Sequence, residues 1–168
     1  KFSKLTMSKI SRLSRGVDNK IFKKKKINKN KLLKKYKIKK EEKIIFFCGR
    51  IHELKGAVFL SKIHKIIKES GHEVVSIFAG ENLQGEKCIK IGGTGIRIID
   101  YIDEKGVCEL YNLCDLFVFP SKFEIGPQVV LEAKSCGAIA VVSPNGGGKR
   151  IYENGVDGII INEYDPNE

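Results

Sequence analysis

The chain has few of the residues that build metal centres or disulfide frameworks. Its 168 residues hold three histidines, His52, His64 and His72, with no His-x-x-x-His pair, which argues against a zinc site. The five cysteines, Cys48, Cys88, Cys108, Cys114 and Cys136, are odd in number and show no Cys-x-x-Cys spacing. They read as reduced, mostly buried thiols of a cytosolic protein. No apolar run approaches the roughly 18 residues that a membrane-spanning helix needs. No signal peptide and no internal repeat are visible, and the first residue is Lys rather than Met.

Charge is plentiful and unevenly placed. The net charge of +11 divides into +15 over residues 1–43 and −4 over residues 44–168. Lys23-Lys24-Lys25-Lys26 and Lys34-Lys35-Tyr36-Lys37-Ile38-Lys39-Lys40 carry most of the excess. The plain reading is a solvated, lysine-rich lead-in to a mildly acidic globular body. A second is attraction to an anionic membrane, where each Lys contributes about 1 kcal/mol. Nucleic acid is less well supported, because Phe22 and Tyr36 are the only aromatics near the lysines.

From residue 44 the hydrophobic pattern alternates between strand and helix. Ile44–Cys48 is a continuous apolar run, as a buried strand requires. Ala57 to Ser70 is apolar at 57, 60, 63, 66 and 67, a helical stripe closed by Gly71. Further strands are expected at Val74–Ala79, Ile89–Ile91, Ile96–Ile99, Leu116–Phe119, Ile139–Val142 and Ile159–Ile161. Further helices are expected at 30–40, Lys105–Leu113, Gln128–Cys136 and Gly148–Glu153, and a turn at Ser14–Asp18. The repetition implies parallel βαβ units: an α/β, Rossmann-like sheet with helices on both faces. In such sheets ligands sit beyond the carboxyl ends of the strands.

Three strand-end loops carry candidate chemistry. Gly49-Arg50-Ile51-His52-Glu53-Leu54-Lys55-Gly56 supplies a guanidinium and an ammonium over one crevice, a pair suited to a diphosphate. Pro120 to Glu132 holds two carboxylates eight residues apart, Glu124 before a helix and Glu132 inside it. Gly126 permits close backbone approach, Pro127 suits a helix start, and the N–H groups of Gln128 and Val129 favour an anion. Glu132 can accept two hydrogen bonds from a ribose diol, and Glu124 can reach sugar hydroxyls. Ser143-Pro144-Asn145-Gly146-Gly147-Gly148 is a glycine loop without the Walker spacing, and Gly92-Gly93-Thr94-Gly95 is not followed by a helical pattern.

In order along the chain these segments resemble the C-terminal, donor-binding domain of retaining GT-B glycosyltransferases of family 4, the glycosyl transferase group 1. Ser14 to Phe22 resembles the family's N-G-V-D-x-x-x-F passage, Gly49 to Gly56 its G-R-x-x-x-x-K-G, and Asp115 to Ser121 its D-x-x-x-x-P-S. Glu124 to Glu132 resembles its E-x7-E, and Gly137, Gly146-Gly147 and Asn154 to Gly158 its later glycine positions. The resemblance implies that Arg50 and Lys55 hold a donor diphosphate, that Glu132 binds the ribose, and that Glu124 binds the transferred sugar. Gly49, Gly126, Pro127, Gln128 and Val129 would line the donor, and Tyr101 and Ile102 would flank the base. It further implies transfer with retention of configuration, a nucleotide-diphosphate-sugar donor, no metal and no other cofactor. Cationic side chains would then stabilise the departing diphosphate.

The chain departs from the family at three places. Gly126 lies two residues after Glu124 where a third-position glycine is usual, Pro127 taking that place; Asp100 stands where many members have Gly; Arg150 stands where an acid is usual. The expected organisation is a basic lead-in, 1–43, from an absent N-terminal domain, then a C-terminally truncated nucleotide-sugar domain, 44–168. The absent domain would bring the glycan, lipid or protein acceptor, so the fragment alone is expected to be inactive. Alternatives are another GT-B relative (a glucan synthase, phosphorylase or epimerase) and a degenerate module using its basic segment on membrane or nucleic acid. The expected location is cytoplasmic, with peripheral contact at the inner face of a membrane.

Overall fold

In a computed structural model of the chain, residues 16–124, 126–146 and 151–161 are described. The expectations placed on Ser14, Arg15, Gly147–Arg150 and the residues after 161 lie outside them. Six parallel strands form one sheet in the order β3-β2-β1-β4-β5-β6. They are β1 (Lys43–Cys48), β2 (Val74–Ala79), β3 (Ile96–Ile99), β4 (Leu116–Phe119), β5 (Ala140–Val142) and β6 (Gly158–Ile160). β1 and β2 run in full register from Lys43↔Val74 to Cys48↔Ala79. Both are buried on both faces except at Lys43, which is why they read as unbroken apolar runs rather than alternating ones.

Among the described residues five α-helices cover the sheet: α1 (Lys29–Lys35), α2 (Ala57–Glu69), α3 (Gly85–Gly92), α4 (Glu104–Leu113) and α5 (Gln128–Ser135). α2 packs with α3, while α4 packs with α1 and α5, so the helices form two layers with the sheet between them. All six of these strands and the ends of α2, α4 and α5 fall within about a residue of their expected limits.

Ile89–Ile91 is a correction: it lies in α3, not in a strand. Isoleucine at 89 and 91 imitates a period of two, but Gly85, Cys88 and Gly92 form the buried helical face. Asn82 Oδ1 accepts from Gly85 N at 2.8 Å and starts that helix. A Cβ on Gly92 would meet Ile96 Cδ1 at 2.2 Å and Ser61 O at 3.1 Å, so a small residue is required where α3 meets α2. Pro127 is also displaced from its expected place: it is the N-cap residue of α5, one position before the first turn.

The described part of the basic lead-in is packed onto the body. Phe22, Leu32, Leu33 and Ile38 are buried with the main core, while the lysines between them are exposed. Within the core Tyr111 of α4 meets Phe46 and Phe117 edge-on, both at 5.2 Å between ring centroids. All five cysteines are free thiols, four of them buried. No helix among the described residues is long and apolar enough to cross a membrane.

Candidate active site

Strand order reverses between β1 and β4, the switch point at which an open parallel sheet leaves a crevice at its carboxyl edge. Three loops close around that crevice. After β1, Gly49 N continues the ladder to Ala79 O at 2.9 Å. A short 3-10 turn, Glu53–Lys55, then leads through Gly56 into α2. Gly56 has φ +84°, and a Cβ there would lie 2.3 Å from Pro120 O, so only glycine allows the loop after β1 to touch the loop after β4. The contact is secured by Lys122 N donating to Leu54 O at 3.0 Å and Ser121 Oγ donating to the same carbonyl at 3.3 Å. The loop after β5 joins through Glu124 N, which donates to Asn145 O at 3.0 Å, and through Ser143 Oγ, which donates to Ser121 O.

This loop work brings two of the expected residues into direct contact. Lys55 Nζ lies 2.5 Å from Glu124 Oε1, and the Ser121 hydroxyl, whose one proton is shared with the Leu54 carbonyl, lies 3.2 Å from the same oxygen. Both partners are largely sheltered, with side chains 22% and 14% exposed. The Lys55 ammonium carries three N–H donors, so one can hold Glu124 while the others face a ligand. Arg50 is exposed and, with Lys55, His52, Leu54, Leu83 and Phe123, lines a cleft of about 250 Å³. Leu54, Leu83 and Phe123 are exposed apolar side chains, so the cleft combines two cations with an apolar lining.

Glu132 is held from beneath by a residue that sequence reasoning did not single out. Tyr111 Oη lies 3.0 Å from Val129 O and 3.3 Å from Glu132 Oε2, so one phenolic proton serves two acceptors. Tyr111 is fully buried, and burial pushes its hydroxyl far above the usual range, so it is a permanent donor. Burial pushes the Glu132 carboxyl up; the Tyr111 hydrogen bond opposes the shift and the nearby Glu104 carboxylate adds to it. The signal available was the helical stripe that turns a tyrosine inward: a buried phenol needs a partner.

The other expected residues fall as follows. Gly126 is exposed, and a Cβ there would meet no atom within 4 Å, so the fold itself makes no steric demand for glycine. Pro127 is buried and caps α5 without a side-chain hydrogen bond, while Val130 N in the first turn donates to Pro127 O at 3.3 Å. Gln128 Nε2 donates to Gly16 O at 2.5 Å, so its side chain is tied to the lead-in. Tyr101, after β3, is 85% exposed. Its neighbour Ile102 is half-buried against the core and packs beside Gly106, where a Cβ would meet Ile102 Cγ1 at 2.6 Å. Among the described residues no group of three His, Cys, Asp or Glu converges where a metal ion could be held.

Comparison with known proteins decides the family. The model for glycosyl transferases group 1 matches residues 28–168. The chain belongs to that family. It is 26% identical over 136 residues to spore coat protein SA of Bacillus subtilis (strain 168), covering 74% of this chain and 36% of that protein. Among solved structures it resembles the C-terminal domain of the glycosyl transferase group 1 family protein LpcC from Francisella tularensis. That match has TM-score 0.75 and 20% identity, covering 90% of this chain and 83% of that one. It also resembles Anabaena Alr3699/HepE, solved in complex with UDP and glucose, with TM-score 0.73 and 20% identity over 86% of this chain and 41% of that one. At these identities the structures establish the fold: this group 1 domain is a Rossmann-like sheet of the GT-B kind. It spans about a third of the length of the curated relatives it matches.

Proposed function

We propose that this group 1 domain binds the nucleotide-diphosphate-sugar donor of a retaining glycosyltransferase. The observation that carries the reading is the Lys55–Glu124 pair at the β1/β4 switch point, with Arg50 lining the same cleft. A cation pair and a carboxylate at one crevice match a ligand with a diphosphate at one end and sugar hydroxyls at the other. HepE, of like fold, was solved with UDP and glucose, which makes UDP the first nucleotide to test.

In this reading Arg50 and Lys55 hold the diphosphate and neutralise the charge that grows on it as the glycosidic bond breaks, with no metal required. Glu124 does two things: it orients the Lys55 ammonium, and its second oxygen accepts from the sugar and stabilises the positive character of the reacting ring. The first turn of α5, with Gly126 and Pro127 before it, faces the distal phosphate. Glu132, steadied by Tyr111, accepts from the ribose diol. Tyr101 supplies an exposed aromatic surface at the base, with Ile102 beneath it. The acceptor is a glycan, lipid or protein engaged with the help of a further domain, and the reaction takes place on the cytoplasmic side of a membrane.

Calorimetric titration with UDP, GDP and ADP tests the reading, beside Arg50→Ala and Glu132→Ala. One nucleotide is expected to bind saturably, and each variant should weaken it by about tenfold to a hundredfold, the loss of one or two charge-assisted hydrogen bonds. Failure of the full-length protein to bind any of the three would overturn it.

A further inference from the structure

We propose that the groove between α1 and α4 is a docking surface for an anionic lipid bilayer. The groove encloses about 470 Å³ and is lined by Lys25, Lys26, Lys31, Lys35 and Lys105, with Glu109 its one carboxylate. Glu109 is engaged by Lys35 at 3.0 Å. Among the described residues, Lys25, Lys26, Lys31 and Lys105 have no carboxylate partner, whereas Lys43, Lys55, Lys65, Lys68, Lys87 and Lys134 are all paired elsewhere on the surface. Five lysines thus converge on a groove with one carboxylate, and the groove shares no residue with the strand-end cleft.

The lysines are presented by a fixed scaffold. Lys25 N donates to Asn112 Oδ1 at 2.8 Å, and Asn112 Nδ2 donates back to Lys23 O at 3.1 Å, so the lysine run is pinned along α4. Buried Phe22, Leu32 and Leu33 hold its two ends to the core. The chemistry favours a bilayer over nucleic acid. Ammonium groups are point charges that suit a diffuse anionic surface, while base reading uses guanidinium forks and single strands need exposed rings to stack on. Among the described residues no arginine and no aromatic side chain lines the groove. The described lead-in, residues 16–43, holds 13 lysines and three acids, so it carries +10 against −4 on residues 44–168, an asymmetry that turns this flank toward a negative surface. The inference stands apart from the donor reading.

The test is co-sedimentation of the full chain with phosphatidylcholine vesicles made with and without phosphatidylglycerol. Binding is expected only to the anionic vesicles. The variant K25Q/K31Q/K105Q should lose about a hundredfold in apparent affinity. K62Q/K65Q/K90Q, with the same charge change on exposed lysines of α2 and α3, should lose less than about fivefold because only the general attraction changes. UDP titration and the circular dichroism of both variants should match the parent. Equal losses in the two variants, or no binding to anionic vesicles, would overturn the proposal. So would displacement by free glycerol phosphate, which would mark a discrete phosphate site, or tighter groove-dependent binding of single-stranded DNA.

Discussion

Tyr111 shows how much one buried hydroxyl decides. It donates to the Val129 carbonyl and favours the charged form of a Glu132 carboxyl that burial alone drives toward neutrality. A neutral Glu132 is a poor partner for a ribose diol, so nucleotide affinity should fall on acidification at a pH above the ordinary carboxylate range. In Tyr111→Phe the donor is gone and the Glu132 pKa rises further, so the acid limb of UDP affinity should move to still higher pH. Loss of the buried hydroxyl's hydrogen bonds should also cost about 0.5–1.5 kcal/mol in urea unfolding. Identical pH profiles for the parent and Tyr111→Phe would show that the hydroxyl does not govern Glu132. The motif Glu-x7-Glu was legible as letters, but its phenolic support lies 21 residues before Glu132, on a different helix.

Between elements, the decisive junction is the one where α2 begins against the loop after β4. Gly56 combines a left-handed backbone with backbone contact to Pro120, and the Lys55–Glu124 pair sits one residue away. Gly56→Ala should cost at least about 2 kcal/mol, from the strained φ and from pushing the two loops apart. Arg50→Ala, on an exposed side chain beside the same cleft, should leave the melting temperature unchanged. Comparing the two by thermal unfolding and UDP titration separates the frame from the ligand groups. If Gly56→Ala melts like the parent, the loops are not coupled as described. The glycine was legible as a turn; that it is also a clearance for another loop was not, because the obstructing carbonyl is 64 positions away.

Across the molecule, stability depends on His64, a fully buried imidazole that ties α2 to β2 and to the turn before β3. It links α2 to β2 through Ser76 Oγ at 2.8 Å and to the turn before β3 through Thr94 O at 3.0 Å. The Thr94 carbonyl can only accept, so Nε2 carries the proton and Nδ1 receives the Ser76 hydroxyl. Burial lowers the His64 pKa, with the Thr94 bond opposing and Lys68 and Arg97 adding to the effect. The unfolded chain therefore takes up a proton near pH 6.5 that the folded chain refuses. Stability contributed by neutral His64 is complete above that pH and is lost as pH falls below it. The melting temperature should drop between pH 7 and pH 5 more steeply than in His64→Gln, measured by differential scanning calorimetry; parallel curves would remove His64 from the account.

Much of the architecture is a property of the sequence alone. β1, β2 and β4 are short apolar runs bounded by glycine or proline, and α2 is a long stripe ended by Gly71; local periodicity settles these whatever lies around them. The same strand–loop–helix order made the fold class and the family resemblance readable from letters. Where periodicity was ambiguous, tertiary packing decided. Ile89–Ile91 became helical because Cys88 and the glycines around it fit against α2. The basic lead-in is anchored because four apolar residues among its lysines have a core to enter. The site is the clearest case. Arg50, Lys55, Glu124 and Glu132 were visible as residues, but only the reversal of strand order at β1 and β4 brings the loops of two distant βα units together, since a side chain can meet a partner 69 residues away only where the backbone returns.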